Sequence, residues 1–428
     1  MNPEVNKTIL SNGIRILTRK MPHVRSVSMG VWVNVGARDE APTENGLSHF
    51  IEHMIFKGTR KRTGYQIAKE FDAIGGHTNA FTAMEHTCYH AKVLDTHLDT
   101  MADILSDIFL NSIFDGSEVE KERPVILQEI GMLEDSPDEY IHLLAGNAFW
   151  GDNPLGRSIL GSPENIRRFD ADMIKTFFSR LYQPDRIIIS MAGNLVHDRI
   201  VELVGPAFES IQPGNGFPER ITPEGRSPVT LNHKDLEQVH ICVNTQGLAA
   251  SDPRRFSFFL MNTILGGNMS SRLFQEIREQ RGLAYTVYSF VSSHVDTGLF
   301  GVYAAVAPDK AEETTALILK EMQRLATEPV SLPELQAAKE FTKGNLLLAS
   351  ESTDSQMVRM AQNELYWERY LPLEEVIQGV DRVSAEDIFD LAATLFKQGP
   401  PALTILGPIE SQNSFAHILN PGVAAAQL

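Results

Sequence analysis

Between Gly205 and Pro228 the chain is dense in the two residues that most often punctuate structure: Gly205-Pro206, Pro213-Gly214, Gly216, Pro218, Pro223, Gly225 and Pro228. Such a stretch reads as a linker. It divides the 428 residues into halves of similar size. A chain of this length outgrows a single core, so two or three domains are expected from length alone. The boundaries implied are residues 1–210 and 229–428, joined by a linker over 211–228.

Each half repeats one grammar of strands and helices. Val27, Met29, Val31, Val33 and Val35 alternate with Ser28, Gly30, Trp32 and Asn34. That period of two predicts a strand with one buried face. Asn45 or Ser48 is placed to cap a helix running to Lys57, with Gly58 as its stop. Thr63 and Gln66 form a capping box for a second helix, which ends at Gly75-Gly76. Thr78–Thr82 and Thr87–Leu94 predict a hairpin. Helices follow over His97–Phe109 and from Ser117, and Ser136-Pro137 and Ser162-Pro163 open two more. Arg186–Met191 is a short apolar strand. The second half runs from a strand at Val239–Asn244 to a helix at Arg254–Leu265, then strands at Tyr285–Val291 and Gly298–Val306, then helices at Lys310–Ala326 and Pro333–Leu348. The fold class predicted is α+β: two similar α/β-layered domains, each a sheet covered by helices.

Composition narrows the function classes. The net charge of −17 argues against non-specific binding of nucleic acid, which needs a basic surface to displace counterions. Cys88 and Cys242 are the only cysteines and form no C-x-x-C pair, so no disulfide framework is expected. The start, Met1 to Lys7, has no apolar core of a signal peptide, and no stretch approaches a membrane span. A cytoplasmic chain without membrane contact is the expectation.

The chemistry is concentrated in His49-Phe50-Ile51-Glu52-His53, which reads H-x-x-E-H. On a helix, positions i and i+4 share a face, so two imidazoles can reach one metal ion, with Glu52 beside them as a general base. This is the zinc-hydrolase signature in reverse order, the inverzincin arrangement. Random placement predicts roughly 0.05 such matches in a chain of this composition. A catalytic zinc takes three protein ligands and keeps one position open. The helix from Ser117 carries Glu118, Glu120, Glu122 and Glu129, of which Glu122 and Glu129, seven apart, share a face. One can ligate while the other braces the ligand set. The residues alone leave that choice open, because acidic residues on an amphipathic helix more often form a solvated face.

Taken together, Gly46 to Thr59, then Asn79-Ala80-Phe81-Thr82 with Glu85, Thr87 and Tyr89, then Glu122 to Glu129, resemble the pitrilysin family of zinc metallopeptidases. That family includes insulin-degrading enzyme and the mitochondrial processing peptidase, and the short form resembles its bacterial-type processing proteases. The likeness runs from Asn12 to Arg382. It implies His49, His53 and Glu129 as ligands of one Zn2+ per chain, Glu129 lying 76 positions after His53. It also implies Glu52 as general base and Glu122 as the carboxylate bracing the ligands. Pro124 stands between Glu122 and Glu129, and an interior proline kinks a helix, which leaves the orientation of Glu122 open. Past the linker, Gly266 to Leu273 resembles the family's glycine-containing segment, and Arg278 and Tyr285 match its Arg…Tyr pair, which reaches the zinc site from the other half. Their implied roles are to hold substrate backbone and to donate to the developing oxyanion. On spacing alone, an Arg on a helix and a Tyr starting a strand are ordinary structural residues. Thr78 to Thr82 resembles the family's substrate strand, to which a peptide adds as a further strand. Asn79, Ala80, Phe81 and Glu85 are its implied peptide-binding positions, with Glu85 either meeting a basic side chain or supporting the loop.

The function implied is a zinc-dependent endopeptidase that hydrolyses unfolded peptides or presequences. A non-catalytic, partner-dependent structural subunit of the same family is the alternative, disfavoured because such members typically lose the metal residues. A small-molecule hydrolase fits the motif but not the two-half architecture. Long members fuse four such domains into a closed clamshell chamber, and this chain has two, half of that set. A homodimer is therefore expected, the second half of one chain completing the site of the other. A heterodimer with a paralogue lacking the zinc motif is the alternative.

Overall fold

The computed structural model describes residues 5–214, 216–397, 399–409 and 415. The readings made on Met1–Glu4 and on the domain ends at 1 and 428 lie outside these. In chain order the strands are β1 Val5–Ile9, β2 Arg15–Lys20, β3 Ser26–Val33, β4 His77–Thr82, β5 Thr87–Leu94, β6 Ile187–Gly193, β7 Val229–His233, β8 Val239–Gln246, β9 Ala284–Ser293, β10 Gly298–Val306 and β11 Ala402–Gly407. They form two sheets, in the orders β1-β2-β6-β3-β5-β4 and β7-β11-β8-β10-β9. Leaving β1 aside, both sheets read first, fifth, second, fourth, third. In each, the first and fifth strands are parallel and the remaining pairs antiparallel. The repeated grammar of the two halves is thus one topology built twice, a mixed α/β architecture of two sheets covered by helices.

The first five helices are α1 Leu47–Met54, α2 Gly64–Ala73, α3 Leu98–Asn111, α4 Gly116–Glu134 and α5 Pro137–Trp150. Thr63 and Gln66 make the expected capping box on α2, and the Ser162 hydroxyl accepts the Asn165 amide at the start of helix Pro163–Arg168. One element departs from the linker reading. Helix His197–Phe208 runs through Gly205 and Pro206, where the proline costs it one hydrogen bond near its C-terminal end. Residues 212–214 and 216–228 carry neither helix nor strand.

The compact units are not the two sequence halves. One holds the residues up to Met132, Arg157–Arg220 and Leu347–Tyr370, and the other holds Leu133–Gly156, Ile221–Leu346 and the residues from Leu371 on. Each half lends a helix to the other half's sheet. Helix Thr353–Trp367 belongs to the first unit, and α5 belongs to the second. The reason is that a sheet has two faces and each must be covered. In the first unit, Val27, Met29, Val31 and Val33 of β3 face a core shared with α1, α3 and helix Ala171–Leu181. The opposite face was expected to be open, and it is buried too. Ser28 donates to Thr353 Oγ1 at 2.8 Å, and Trp32 Nε1 lies 3.2 Å from Met357 Sδ. In the second unit, Ile141 and Ala145 of α5 pack with Cys242, Tyr303 and Leu406.

At Gly30 helix Thr353–Trp367 packs closely over β3. A Cβ there would stand 2.6 Å from Met357 Sδ and 2.6 Å from Trp32 Nε1. Gly30→Val is therefore expected to lower stability by about 1–3 kcal/mol through overpacking, measured by urea unfolding. An unchanged midpoint would mean that the helix can lift without loss. Cys88 and Cys242 are buried free thiols. Among the described residues no helix is long and apolar enough to cross a membrane.

Candidate metal centre

Leu47, Phe50, Ile51 and Met54 of α1 are buried in the core of the first unit. Their spacing leaves His49, Glu52 and His53 together on the flank that meets β4 and α4. Neither Asn45 nor Ser48 caps this helix. It begins at Gly46, whose φ of +107° lies in the left-handed region that favours glycine. The amides of Gly46 and Ser48 donate instead to the carboxylate of Glu40, at 2.8 and 2.7 Å. The helix ends at Met54, a turn short of Lys57, and Gly58 follows at φ +145°.

The facing helix, α4, brings Glu122 and Glu129 to the two histidines. His49 Nε2 and His53 Nε2 lie 3.6 and 3.4 Å from Glu129 Oε2. The three residues can offer ligand atoms that all lie within 4.8 Å of one another. Atoms held about 2.1 Å from a shared tetrahedral centre stand about 3.4 Å apart. The spacing and the two-nitrogen, one-oxygen donor set therefore fit a catalytic zinc site. Pro124 leaves α4 helical from Gly116 to Glu134, and Glu122 reaches His53 Nδ1 with Oε1 at 2.9 Å. Its other oxygen lies 2.5 Å from Lys57 Nζ.

Electrostatics sorts these groups. Burial, then the neighbouring His53, pushes His49 down to about 4 against the pull of Glu129. Burial works against the proton on His53 as well, but the carboxylates of Glu129 and Glu122 outweigh it and hold the ring above the usual histidine value. Burial would raise Glu122, yet Lys57 and His53 keep it below the usual carboxylate range. Glu129 is lowered by its hydrogen bond to His53, with burial opposing. Glu52 is raised by burial, against the hydroxyl of Thr82 and the charge of His53. Thr82 Oγ1 donates to Glu52 Oε2 at 2.7 Å.

Among the described residues β4 is a sheet edge, pairing only with β5. Its alternation sends Thr82 toward Glu52, while Ala80 packs against the main core. Phe81 points to the opposite face, edge-on to Trp32 at 5.4 Å between ring centres, so its side chain is not offered to a peptide from the Glu52 side. Asn79 folds its Oδ1 onto the amide of Ala80 at 2.9 Å. Of the two readings of Glu85, the geometry fits the support of the loop. Glu85 is 3% exposed, and its Oε1 accepts from Arg38 Nη1 at 2.7 Å, so the carboxylate already serves a buried ion pair that supports the loop. Arg278 and Tyr285 lie in the second unit and meet each other, the guanidinium standing 4.5 Å from the tyrosine ring centre. Tyr285 is 77% exposed.

Comparison with known proteins places this geometry in a family. Residues 15–163 match the insulinase domain of peptidase family M16, and residues 168–341 match the peptidase M16 inactive domain. The zinc protease YmxG of Bacillus subtilis, itself uncharacterized, is 39% identical over 94% of this chain and 98% of its own length. The chain belongs to peptidase family M16. A second uncharacterized zinc protease, from Streptomyces coelicolor, is 38% identical to the M16 chain over 96% of it and 91% of the relative. Two solved structures share the fold. A protease from Helicobacter pylori has a TM-score of 0.90 and 22% identity, covering 95% of this chain and 100% of that one. A peptidase M16 inactive domain from Pseudomonas fluorescens has a TM-score of 0.88 and 17% identity, covering 96% and 99%.

Three residues of the M16 chain's site were not singled out from sequence. Thr82 carried a usable signal, since period two puts it on the same side of β4 as Ala80. Lys57 follows His53 by four positions, the spacing at which helix neighbours meet. Glu40 carried none, because cap rules look at residues adjoining the helix and Glu40 reaches it across a loop.

Proposed function

We propose that this M16 chain is a zinc-dependent endopeptidase that hydrolyses unfolded peptides or presequences, holding one Zn2+ on His49, His53 and Glu129. The observation that carries the reading is the Nε2, Nε2, Oε2 triad at zinc-ligand spacing with Glu52 on the next flank of the same helix. Zinc, when bound, supplies a Lewis acid for the scissile carbonyl and for the attacking water. Glu52 takes the water's proton and delivers it to the leaving amine, a task suited by a carboxyl that burial has raised toward neutrality. Glu122 and Lys57 brace His53 and fix which ring nitrogen faces the ligand set. The edge of β4 receives the peptide as an added strand, with Asn79 and Ala80 at the positions it passes. The relatives' names as zinc proteases support the metal and the reaction class.

Partners and location extend the same reading. The triad and the Arg278–Tyr285 pair belong to different compact units. That division supports a homodimer in which the Arg278 and Tyr285 of one copy serve the other, with a zinc-motif-lacking paralogue as the alternative partner. Two buried free thiols are compatible with the reducing cytoplasm.

One experiment tests these together. Purified chain is run on size exclusion with light scattering, and fractions are assayed with a quenched peptide, with chelator, and after zinc is restored. Activity is expected in the dimer peak, abolished by chelator and recovered with zinc. Chelator-insensitive hydrolysis would sink the zinc reading, and a fully active monomer would sink the homodimer.

A further inference from the structure

The start of α1 is held by a side chain from outside the helix. Glu40 is buried, and both its oxygens are engaged: Oε1 by the Ser48 amide at 2.7 Å, Oε2 by the Gly46 amide at 2.8 Å and by Asn45 Nδ2 at 3.0 Å. The first amides of a helix have no carbonyl partner within it, and a carboxylate satisfies them and complements the helix dipole at once. Side chains of this helix make no such bond, since its boundary residue is Gly46.

Glu40 is itself fixed from two directions. Arg157 Nη1 donates to its backbone carbonyl at 3.0 Å. Asn45, which bonds its carboxylate, also donates to the Ser158 carbonyl at 2.9 Å, and Asn165 Nδ2 donates to the Asn45 carbonyl at 3.1 Å. Gly161 backs the same loop so closely that a Cβ there would stand 2.5 Å from the Asn45 carbonyl oxygen. The segment before α1 is thus clamped between Glu40 and residues 157–165. His49 directly follows Ser48, whose amide Glu40 holds, and Glu52 and His53 lie within the next turn and a half.

We propose that Glu40 is a positioning residue for the metal centre: its carboxylate fixes the axial placement of α1, and through it the placement of His49, Glu52 and His53. This rests on the peptidase reading above and adds a residue to it. An ordinary cap stabilises a helix without regard to register. Here the cap comes from a clamped loop, so the anchor point is set by tertiary structure and the helix cannot slide or fray without leaving it. Burial pushes the Glu40 carboxyl up to about 7 against its three donors, so above neutral pH the charged, three-fold accepting form is the one present.

The test compares Glu40→Gln, Glu40→Asp and Thr63→Ala. Gln keeps the size but loses the charge and turns an N–H toward at least one amide donor. Asp keeps the charge and shortens the reach. Thr63→Ala removes the cap of α2 in the same unit, as a control for lost helix capping that leaves the Glu40 contacts alone. Two readouts are taken at pH 8: binding of Zn2+ to the metal-stripped chain against a chromophoric chelator, and kcat and KM on a quenched peptide. For Glu40→Gln we expect kcat to fall about 10- to 100-fold with KM within about threefold, the scale at which sub-ångström misplacement acts. The Zn2+ dissociation constant should rise about tenfold, the scale found when ligand support is removed. Glu40→Asp should recover part of both. Zn2+ binding and kcat in Glu40→Gln equal to wild type would overturn the proposal. So would Thr63→Ala losing as much kcat at the same melting temperature. Wild-type chain that binds Zn2+ but cleaves no peptide would overturn the peptidase reading instead, and the Zn2+ titration would still decide for or against Glu40.

Discussion

Glu52→Gln is expected to lower kcat for peptide hydrolysis by about 10²- to 10⁴-fold, the usual contribution of a general base, while zinc remains bound. The carboxylate sits on the flank of α1 next to His53, and one of its oxygens is already held by Thr82 at 2.7 Å. That bond fixes the side chain and leaves the second oxygen to collect a proton. Burial raises the carboxyl above its usual range, and the charge of Glu129 adds to the rise, which brings it closer to the pH at which a base works best. Glutamine has the same shape, and its amide oxygen can keep the Thr82 hydrogen bond, so the fold and the ligand set should survive. What glutamine cannot do is accept a proton. The measurement is kcat on a quenched peptide beside the zinc content of the same preparation. Hydrolysis within threefold of wild type at full zinc occupancy would remove Glu52 from the mechanism. The same pair of readings separates the catalytic proposal from the structural-subunit alternative, for which the substitution has no activity to abolish.

The parts of this protein that were legible in its sequence share one physical property: their signal is local. The His49, Glu52 and His53 spacing needs only a helix to bring these side chains together, and the alternation of β3 and the Thr63–Gln66 capping box are read over a few residues. What escaped was set by partners distant in the chain. The second face of β3 is buried by helix Thr353–Trp367, whose buried apolar contribution is Met357, Met360 and Ala361, with Val358 and Leu365 packed at the margin. Nothing in Ser28 or Gly30 announces that cover. Glu85 stayed between a substrate contact and a loop support, because its partner Arg38 lies in an earlier segment and is itself buried. Phe81 was a peptide-binding position only by the resemblance, whereas the pleat sends its side chain to Trp32. Glu129 illustrates the middle case. Helical spacing paired it with Glu122, and only the resemblance singled it out as the implied ligand. Its place at 3.4 and 3.6 Å from the two imidazoles now supports that assignment on geometry of its own.

Glu129→Ala should raise the Zn2+ dissociation constant by about a hundredfold or more, since a four-ligand zinc site worth about 12 kcal/mol assigns about 3 kcal/mol to each ligand. Peptide hydrolysis at sub-micromolar free zinc should disappear with it. Two features single out Glu129 within the proposed ligand set. Among the described residues it is the carboxylate grouped with both histidines at ligand spacing, and the other carboxylate on that face, Glu122, is committed to His53 Nδ1 and Lys57. The pH dependence follows from where the protons sit. His49, pushed down to about 4, offers a neutral ring at any working pH. His53 is held above the usual histidine value by Glu129 and Glu122, so it is the ring that must release a proton when zinc binds. Zinc affinity should therefore fall as the pH drops, beginning at a higher pH than an ordinary histidine would give. Glu122→Gln removes one of the two carboxylates that keep that proton, so it should move the onset of the fall to lower pH. It should also weaken binding by about 10- to 100-fold at pH 8, because His53 loses its brace. Competition titrations against a chromophoric chelator at pH 6, 7 and 8 measure both effects. A Glu129→Ala chain that binds zinc as tightly as wild type would show that the third ligand comes from elsewhere. A Glu122→Gln curve parallel to wild type at every pH would show that this carboxylate does not govern the proton on His53.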